Sequence, residues 1–322
     1  MGAWKCFGEP EEAVNVRTGI ENLLQRSIPT AKGCEADILA TDISNIPMAV
    51  EIARSAEVVV ACIGEPSLSA GEGASRADIS IPKPQIELLR AMKELGKPIV
   101  AVIFGQRGQV LTEVEKYTDA MLYVWQPGTE GGNAIANLLY GKACPSGKLT
   151  ISFPRAVGQC PIYYNYFNTG RPKWYDTLEY STFSSSYRDV INAPLYPFGY
   201  GLSYTTFAIS DMQLSTDVLH SGERLTASVV VENTGKYDGE EVIQLYIRDY
   251  FASMVRPIQE LKGYQKIALK AGEKRRVEFE ITEETLKFYD SKGVFTAEEG
   301  TFALMIGNSS VNVKCKDFTY KK

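Results

Sequence analysis

Between Val58 and Pro82 the chain reads VVVACIGEPSLSAGEGASRADISIP. An unbroken apolar run, Val58 to Ile63, meets Gly64, and the polar loop beyond it carries Glu65, Glu72, Arg76 and Asp78. Pro82 and Pro84 then open a helix. Carboxylates just past the carboxyl end of a buried strand stand where an α/β sheet usually places its chemistry. The same four side chains also suit a solvated αβ loop with an ordinary share of charge. On this stretch alone both readings remain open.

Composition removes several other chemistries. The 322 residues suffice for two domains of ordinary size. Apolar residues make up 44% and charged residues 23%, a globular rather than a disordered balance. A net charge of −5 gives no electrostatic footprint for nucleic acid or an anionic membrane. No apolar run is long enough to span a bilayer. The six cysteines, Cys6, Cys34, Cys62, Cys144, Cys160 and Cys315, form no CxxC pair and no metal-ligand spacing. His220 is the single histidine, which argues against a zinc site and against Ser-His or Cys-His catalysis. No metal and no cofactor is expected. The 18 Tyr, 13 Phe and 3 Trp suit ring-bearing ligands such as sugars, although packing accounts for most aromatics in most proteins. Met1 to Pro10 has neither a basic start nor an apolar stretch, so no secretory signal is expected there.

The elements that must position the loop follow from periodicity. Ala13, Val16, Ile20, Leu23 and Leu24 share one helical face, with Glu11 and Glu12 expected in the first turn. Met1 to Cys6 reads as the tail of a strand or loop, and a short strand is expected near Thr30 to Gly33. A helix is predicted over about 47–56 and another over about 83–95, ending at Gly96 with Pro98 beyond. Pro98 to Phe104 and Ala120 to Trp125 are further apolar strands, and a helix over about 133–140 closes the unit. Continuous apolar strands alternating with amphipathic helices indicate a mostly parallel sheet covered on both faces. The Gly128–Gly132 turn could hold phosphate at a helix start. However, no GxGxxG follows the first strand and no Walker lysine is spaced for it, so nucleotide binding ranks below the other readings.

An aromatic, irregular segment, Ile162 to Tyr187, includes Trp174 and reads as either a linker or a functional stretch. From Phe207 the period changes to two. Leu225–Val231, Val242–Ile247, Arg276–Ile281 and Thr301–Ile306 read as strands, with turns at Glu232–Gly235 and Lys270–Glu273. Such spacing argues for a β-sandwich of roughly a hundred residues with a support or interface role.

Three stretches taken together resemble glycoside hydrolase family 3 β-glucosidases in their C-terminal part. They are Gly71–Ile79 with Ile81-Pro82; Trp125–Ala136 with Pro145–Leu149 and Phe153-Pro154; and Tyr196–Phe207. Arg256-Pro257, Glu260–Tyr264 and Ala271–Glu273 resemble the family's fibronectin type III-like domain. The likeness is greatest to the bacterial periplasmic branch, which implies a periplasmic or extracellular enzyme. It implies an α/β sandwich (a mostly parallel sheet flanked by helices) over residues 1–205, followed by an all-β fibronectin type III-like sandwich over 206–322.

In that family hydrolysis is retaining. An Asp on a preceding (β/α)8 barrel attacks the anomeric carbon, and a Glu on the sandwich domain protonates the leaving oxygen and later activates water, the two carboxyls being about 5–5.5 Å apart. The matching Glu is Glu72. Arg76 is then expected to orient Glu72 or a neighbouring carboxylate, and Asp78 to cap or pin the loop. Glu65 is the rival carboxylate, read as a structural anchor. Trp125 and the Gly128–Gly132 turn read as packing. The barrel, its nucleophile and the sandwich domain's own first strand have no counterpart here. Phe104–Gln109 departs from the family's Asn-Gly-Arg-Pro, which puts a role for Arg107 in doubt. The implied partners are a β-linked oligosaccharide or aryl glucoside and a family-3 barrel in cis or in trans, with no nucleic acid and no membrane. The competing reading is a non-catalytic carbohydrate-binding or assembly module.

Overall fold

The computed structural model describes residue 5, residues 7–171, residue 178 and residues 183–322. Met1 to Trp4, Cys6 and Trp174 lie outside the described residues. The chain forms two compact units. The first takes the residues up to Ala143 together with Phe153–Cys160, and the second takes Cys144–Ser152 with Pro161–Lys322.

In the first unit the apolar runs form β1 (Val59–Gly64), β2 (Ile99–Phe104) and β3 (Ala120–Trp125), all parallel, in the order β1-β2-β3. Ile99, Ala101, Val102 and Ile103 of the central strand are fully buried, as expected for a strand with neighbours on both edges and cover on both faces. Between β1 and β2 runs α3 (Lys83–Lys93), with Pro in its first turn and Leu89 and Met92 buried. It ends at Lys93, two residues before the predicted end, and the turn that follows closes at Gly96 with φ +65°. Two further helices, α1 (Val16–Leu24) and α5 (Gly131–Leu139), pack together closely enough that a Cβ at Gly19 would lie 2.1 Å from the Gly132 carbonyl oxygen. Only glycine permits that approach. The remaining helices are α2 (Ile46–Ala53) and α4 (Thr112–Tyr117).

Two local expectations are corrected, and one element is new. Glu11 and Glu12 belong to a separate 3-10 turn, Pro10–Glu12, and α1 starts instead at Asn15, whose side chain accepts from the Thr18 N–H at 2.9 Å. No ladder forms over 30–33, where Thr30, Ala31, Lys32 and Gly33 follow Pro29 and bring no large apolar side chain to a strand. The short α4 was not foreseen. Its six residues bury only Val114, too little for a periodic signal.

The second unit is a two-sheet sandwich. One sheet holds β5 (Val218–His220), β13 (Val313–Lys321), β12 (Gly300–Gly307), β7 (Gly239–Asp249) and β8 (Glu260–Leu269) in that order. The other holds β4 (Phe207–Leu214), β6 (Arg224–Asn233) and β9 (Lys274–Thr282), and β10 (Phe288–Tyr289) with β11 (Phe295–Thr296) forms a separate two-stranded ladder. Pairing is antiparallel except between β5 and β13. Alternate residues fill the core: Leu225, Ala227, Val229 and Val231 from β6, and Ile243, Leu245 and Ile247 from β7.

Much of the irregular stretch before β4 packs within this unit. Tyr164 stacks on Phe198 (centroids 4.3 Å apart) and meets Tyr246 edge-on. The Leu149 and Gly199 backbones bond to the Tyr200 and Leu149 carbonyls at 2.8 and 2.7 Å. Lys148 is nearly buried and pairs with Glu241 at 2.7 Å. The Pro145–Leu149 and Tyr196–Phe207 motifs are thus structural ties. Among the described residues no helix is long and apolar enough to cross a membrane.

Candidate active-site loop

The loop starts from a fixed strand end. Gly64 closes β1 at φ +129°, and a Cβ there would fall 1.8 Å from the Phe104 carbonyl oxygen. From the first turn of α3 the buried Gln85 amide accepts from the Gly64 N–H (2.7 Å) and donates to its carbonyl (2.8 Å).

Glu65 follows, and its side chain is entirely buried. One carboxylate oxygen accepts from Arg76 Nη1 at 2.9 Å and from the Ser69 hydroxyl at 3.2 Å. The other accepts from the Gln106 N–H at 2.9 Å and Arg107 Nε at 3.2 Å. Each guanidinium has a second arm on the backbone: Arg76 Nη2 donates to the Ser80 carbonyl (3.0 Å) and Arg107 Nη2 to the Ser69 carbonyl (2.8 Å). Burial alone would raise the Glu65 carboxyl. The Arg76 hydrogen bond, the Gln106 N–H and the Arg107 charge together outweigh it and hold the group below the usual carboxylate range. Tyr123 of β3 supports this floor, donating to the Arg107 carbonyl at 2.6 Å. Burial, then the Glu65 charge, pushes its phenol well above the ordinary tyrosine range.

The other residues singled out from the sequence occupy different environments. Arg76 is buried on Glu65, not on Glu72. Asp78 is exposed and accepts from the Ser80 N–H at 2.8 Å, a local turn that, with the Ser80 hydroxyl, lowers its carboxyl below the ordinary value. Glu72 is exposed between Gly71 and Gly73, both at positive φ, and makes no side-chain hydrogen bond or ion pair to any described residue. Arg107, left in doubt by the sequence, belongs to the cluster. The available signal was its place just after β2, level with the residues that follow β1.

Trp125 ends β3 at φ +52°, and its ring meets Tyr123 and Phe153 edge-on at 4.8 and 6.0 Å. At the Gly128–Gly132 turn the Glu130 side chain accepts from Asn133 at 2.6 Å, so a carboxylate already stands at the start of α5. Chemically, the loop after β1 presents one carboxylate without a partner among the described residues, Glu72, and is fixed through a second whose oxygens are all engaged, Glu65.

A family model described as the glycosyl hydrolase family 3 C-terminal domain matches residues 1–204, and a fibronectin type III-like domain matches residues 241–310. The chain is 44% identical to a periplasmic β-glucosidase of Salmonella typhimurium, over 99% of this chain and 44% of that protein. It is 35% identical to a β-xylosidase of Formosa agariphila, over 96% of this chain and 42% of that protein. The crystal structure of a β-glucosidase from Listeria innocua in complex with glucose superposes with a TM-score of 0.93 at 36% identity, over the whole of this chain and 44% of that one. The chain therefore spans less than half the length of these relatives. A match of this extent and order leaves one assignment: the chain belongs to glycosyl hydrolase family 3, carrying its C-terminal α/β domain and its fibronectin type III-like domain.

Proposed function

We propose that the chain is the C-terminal portion of a retaining β-glucosidase that releases terminal β-D-glucosyl residues, with Glu72 as its general acid/base. The observation that carries this reading is the state of Glu72: an exposed carboxylate without a partner among the described residues, on a tethered loop at the carboxyl end of β1. A proton donor must be free to meet the glycosidic oxygen, whereas Glu65 has its acceptor positions filled and is held ionised. The nucleophile is an Asp on a family-3 barrel, supplied in cis or in trans. The functional division of this chain falls between residues 205 and 206. Substrates are β-linked oligosaccharides or aryl glucosides, and the setting is periplasmic or extracellular, in keeping with the Salmonella relative.

The test is hydrolysis of an aryl β-glucoside. The 322-residue chain alone is expected to give no turnover, because a general acid without a nucleophile cannot complete double displacement. Joined to the N-terminal part of the Salmonella relative it is expected to be active. There Glu72→Ala should reduce turnover by about 10²-fold or more, and azide should restore part of it by replacing base-activated water. Turnover by the isolated chain that Glu72→Ala abolishes, or a joined enzyme indifferent to that change, would overturn the reading.

One observation favours a second reading, carbohydrate binding. The second unit holds a cavity of about 430 Å³ lined by Tyr164, Tyr166, Asn168, Arg248 and Gln259, among others. Saturable heat on titrating the isolated chain with cellobiose, lost in Tyr166→Ala and retained in Glu72→Ala, would support it.

A further inference from the structure

We propose that Glu65 is a positioning residue for catalysis: clamped between Arg76 and Arg107, it fixes the loop that carries Glu72. The proposal rests on the reading of Glu72 given above and adds the device that holds it. Residues 65 and 76 are the two ends of the loop, and the ion pair at 2.9 Å joins them directly. Arg107, from the end of the neighbouring strand, ties the middle of the loop through the Ser69 carbonyl while also contacting Glu65. Glu65 is fully buried and Arg76 nearly so, whereas Arg107 keeps about a fifth of its side chain exposed. Between these ties, Glu72 makes no side-chain hydrogen bond or ion pair to any described residue, and glycines at φ +128° and +72° flank it. A single backbone turn, Ala74 N–H to the Gly71 carbonyl at 3.2 Å, shapes the tip locally, and the loop ends set where that tip stands. A carboxylate so held acts through geometry, since a small misplacement of a catalytic group costs far more rate than binding.

Leaving-group dependence in the joined enzyme separates positioning from general loss of structure. The kcat/KM value reports the first displacement, in which a phenyl glucoside needs a proton at its leaving oxygen and a 2,4-dinitrophenyl glucoside does not. Glu65→Gln is expected to lower kcat/KM for the phenyl glucoside by about tenfold or more and to leave the dinitrophenyl glucoside within about threefold. Arg107→Met keeps the Glu65–Arg76 pair and loses the Ser69 tie, so it should show the same selectivity at smaller amplitude even if Glu65→Gln folds poorly. In the isolated chain, amide hydrogen exchange over 66–75 should quicken in both variants while β2 stays protected. Equal losses on both glucosides, or no loss on either, with Glu72→Gln still selective, would overturn the clamp alone. A Glu72→Gln enzyme without selectivity would overturn the reading of Glu72, and the clamp's catalytic role with it, whatever the exchange rates.

Discussion

Glu65 shows how one residue can be acidic, buried and unavailable for proton donation at once. Its folded carboxyl lies below its unfolded value, so the contribution it makes to stability is complete above the unfolded value, near pH 4.5, and is lost as pH falls through the folded one. The urea midpoint of the wild type should therefore drop more steeply between pH 5 and pH 3 than that of Glu65→Gln. The variant should be the less stable of the two at pH 7. Taking away one partner of a buried pair costs about 3–5 kcal/mol, so Arg76→Ala should lower unfolding free energy toward the lower end of that range, because Arg107 remains. Equal pH slopes for wild type and Glu65→Gln would remove the ionic account of the cluster.

At the scale of elements, the turn after β6 is held by one side chain. Asn233 is fully buried; its amide donates to the Tyr237 carbonyl (2.8 Å) and the Leu269 carbonyl (3.1 Å), and its oxygen accepts from Thr205 Oγ1 (2.6 Å) and the Gly235 N–H (3.1 Å). Asn233→Ala strands these partners and should cost roughly 2–4 kcal/mol, read as a lower urea midpoint at an unchanged slope. From sequence Asn233 reads only as a turn residue, and this hub is not legible there, because its partners come from three separate segments. The same physical limit explains what else was legible. The apolar runs of β1, β2 and β3 announce themselves because each is unbroken, and the central β2 is buried along most of its length. The strands β4, β5, β8, β10, β11 and β13 carry no such signal, since β10 and β11 are two residues each and much of β8 and β13 is exposed and breaks the alternation. At the loop, Glu65, Arg76 and Asp78 were visible as charges. The pairing of Glu65 with Arg107 joins residues 42 apart, and no local pattern encodes that.

At the scale of the whole chain, β1 pairs with β2 alone among the described strands, leaving its other edge without a ladder partner. Val58, just before it, is 48% exposed, and Cys62 on the strand itself is exposed. An open, apolar, parallel edge invites pairing with another chain. Sedimentation velocity should show the 322-residue chain associating as its concentration rises, and Val58→Lys should reduce that association. Concentration-independent sedimentation of the wild type would show the edge to be covered.

The edge-on packing of Trp125 against Tyr123 and Phe153 has an optical consequence. The three tryptophans of the chain, Trp4, Trp125 and Trp174, all precede β4. Trp174 falls within the second unit, so with Trp4 and Trp174 replaced by Phe the remaining indole, Trp125, reports on the first unit, whereas far-ultraviolet circular dichroism registers the backbone of both units. Following both signals through one thermal scan dissects the melting of the loop-bearing sheet from that of the sandwich, with no label added.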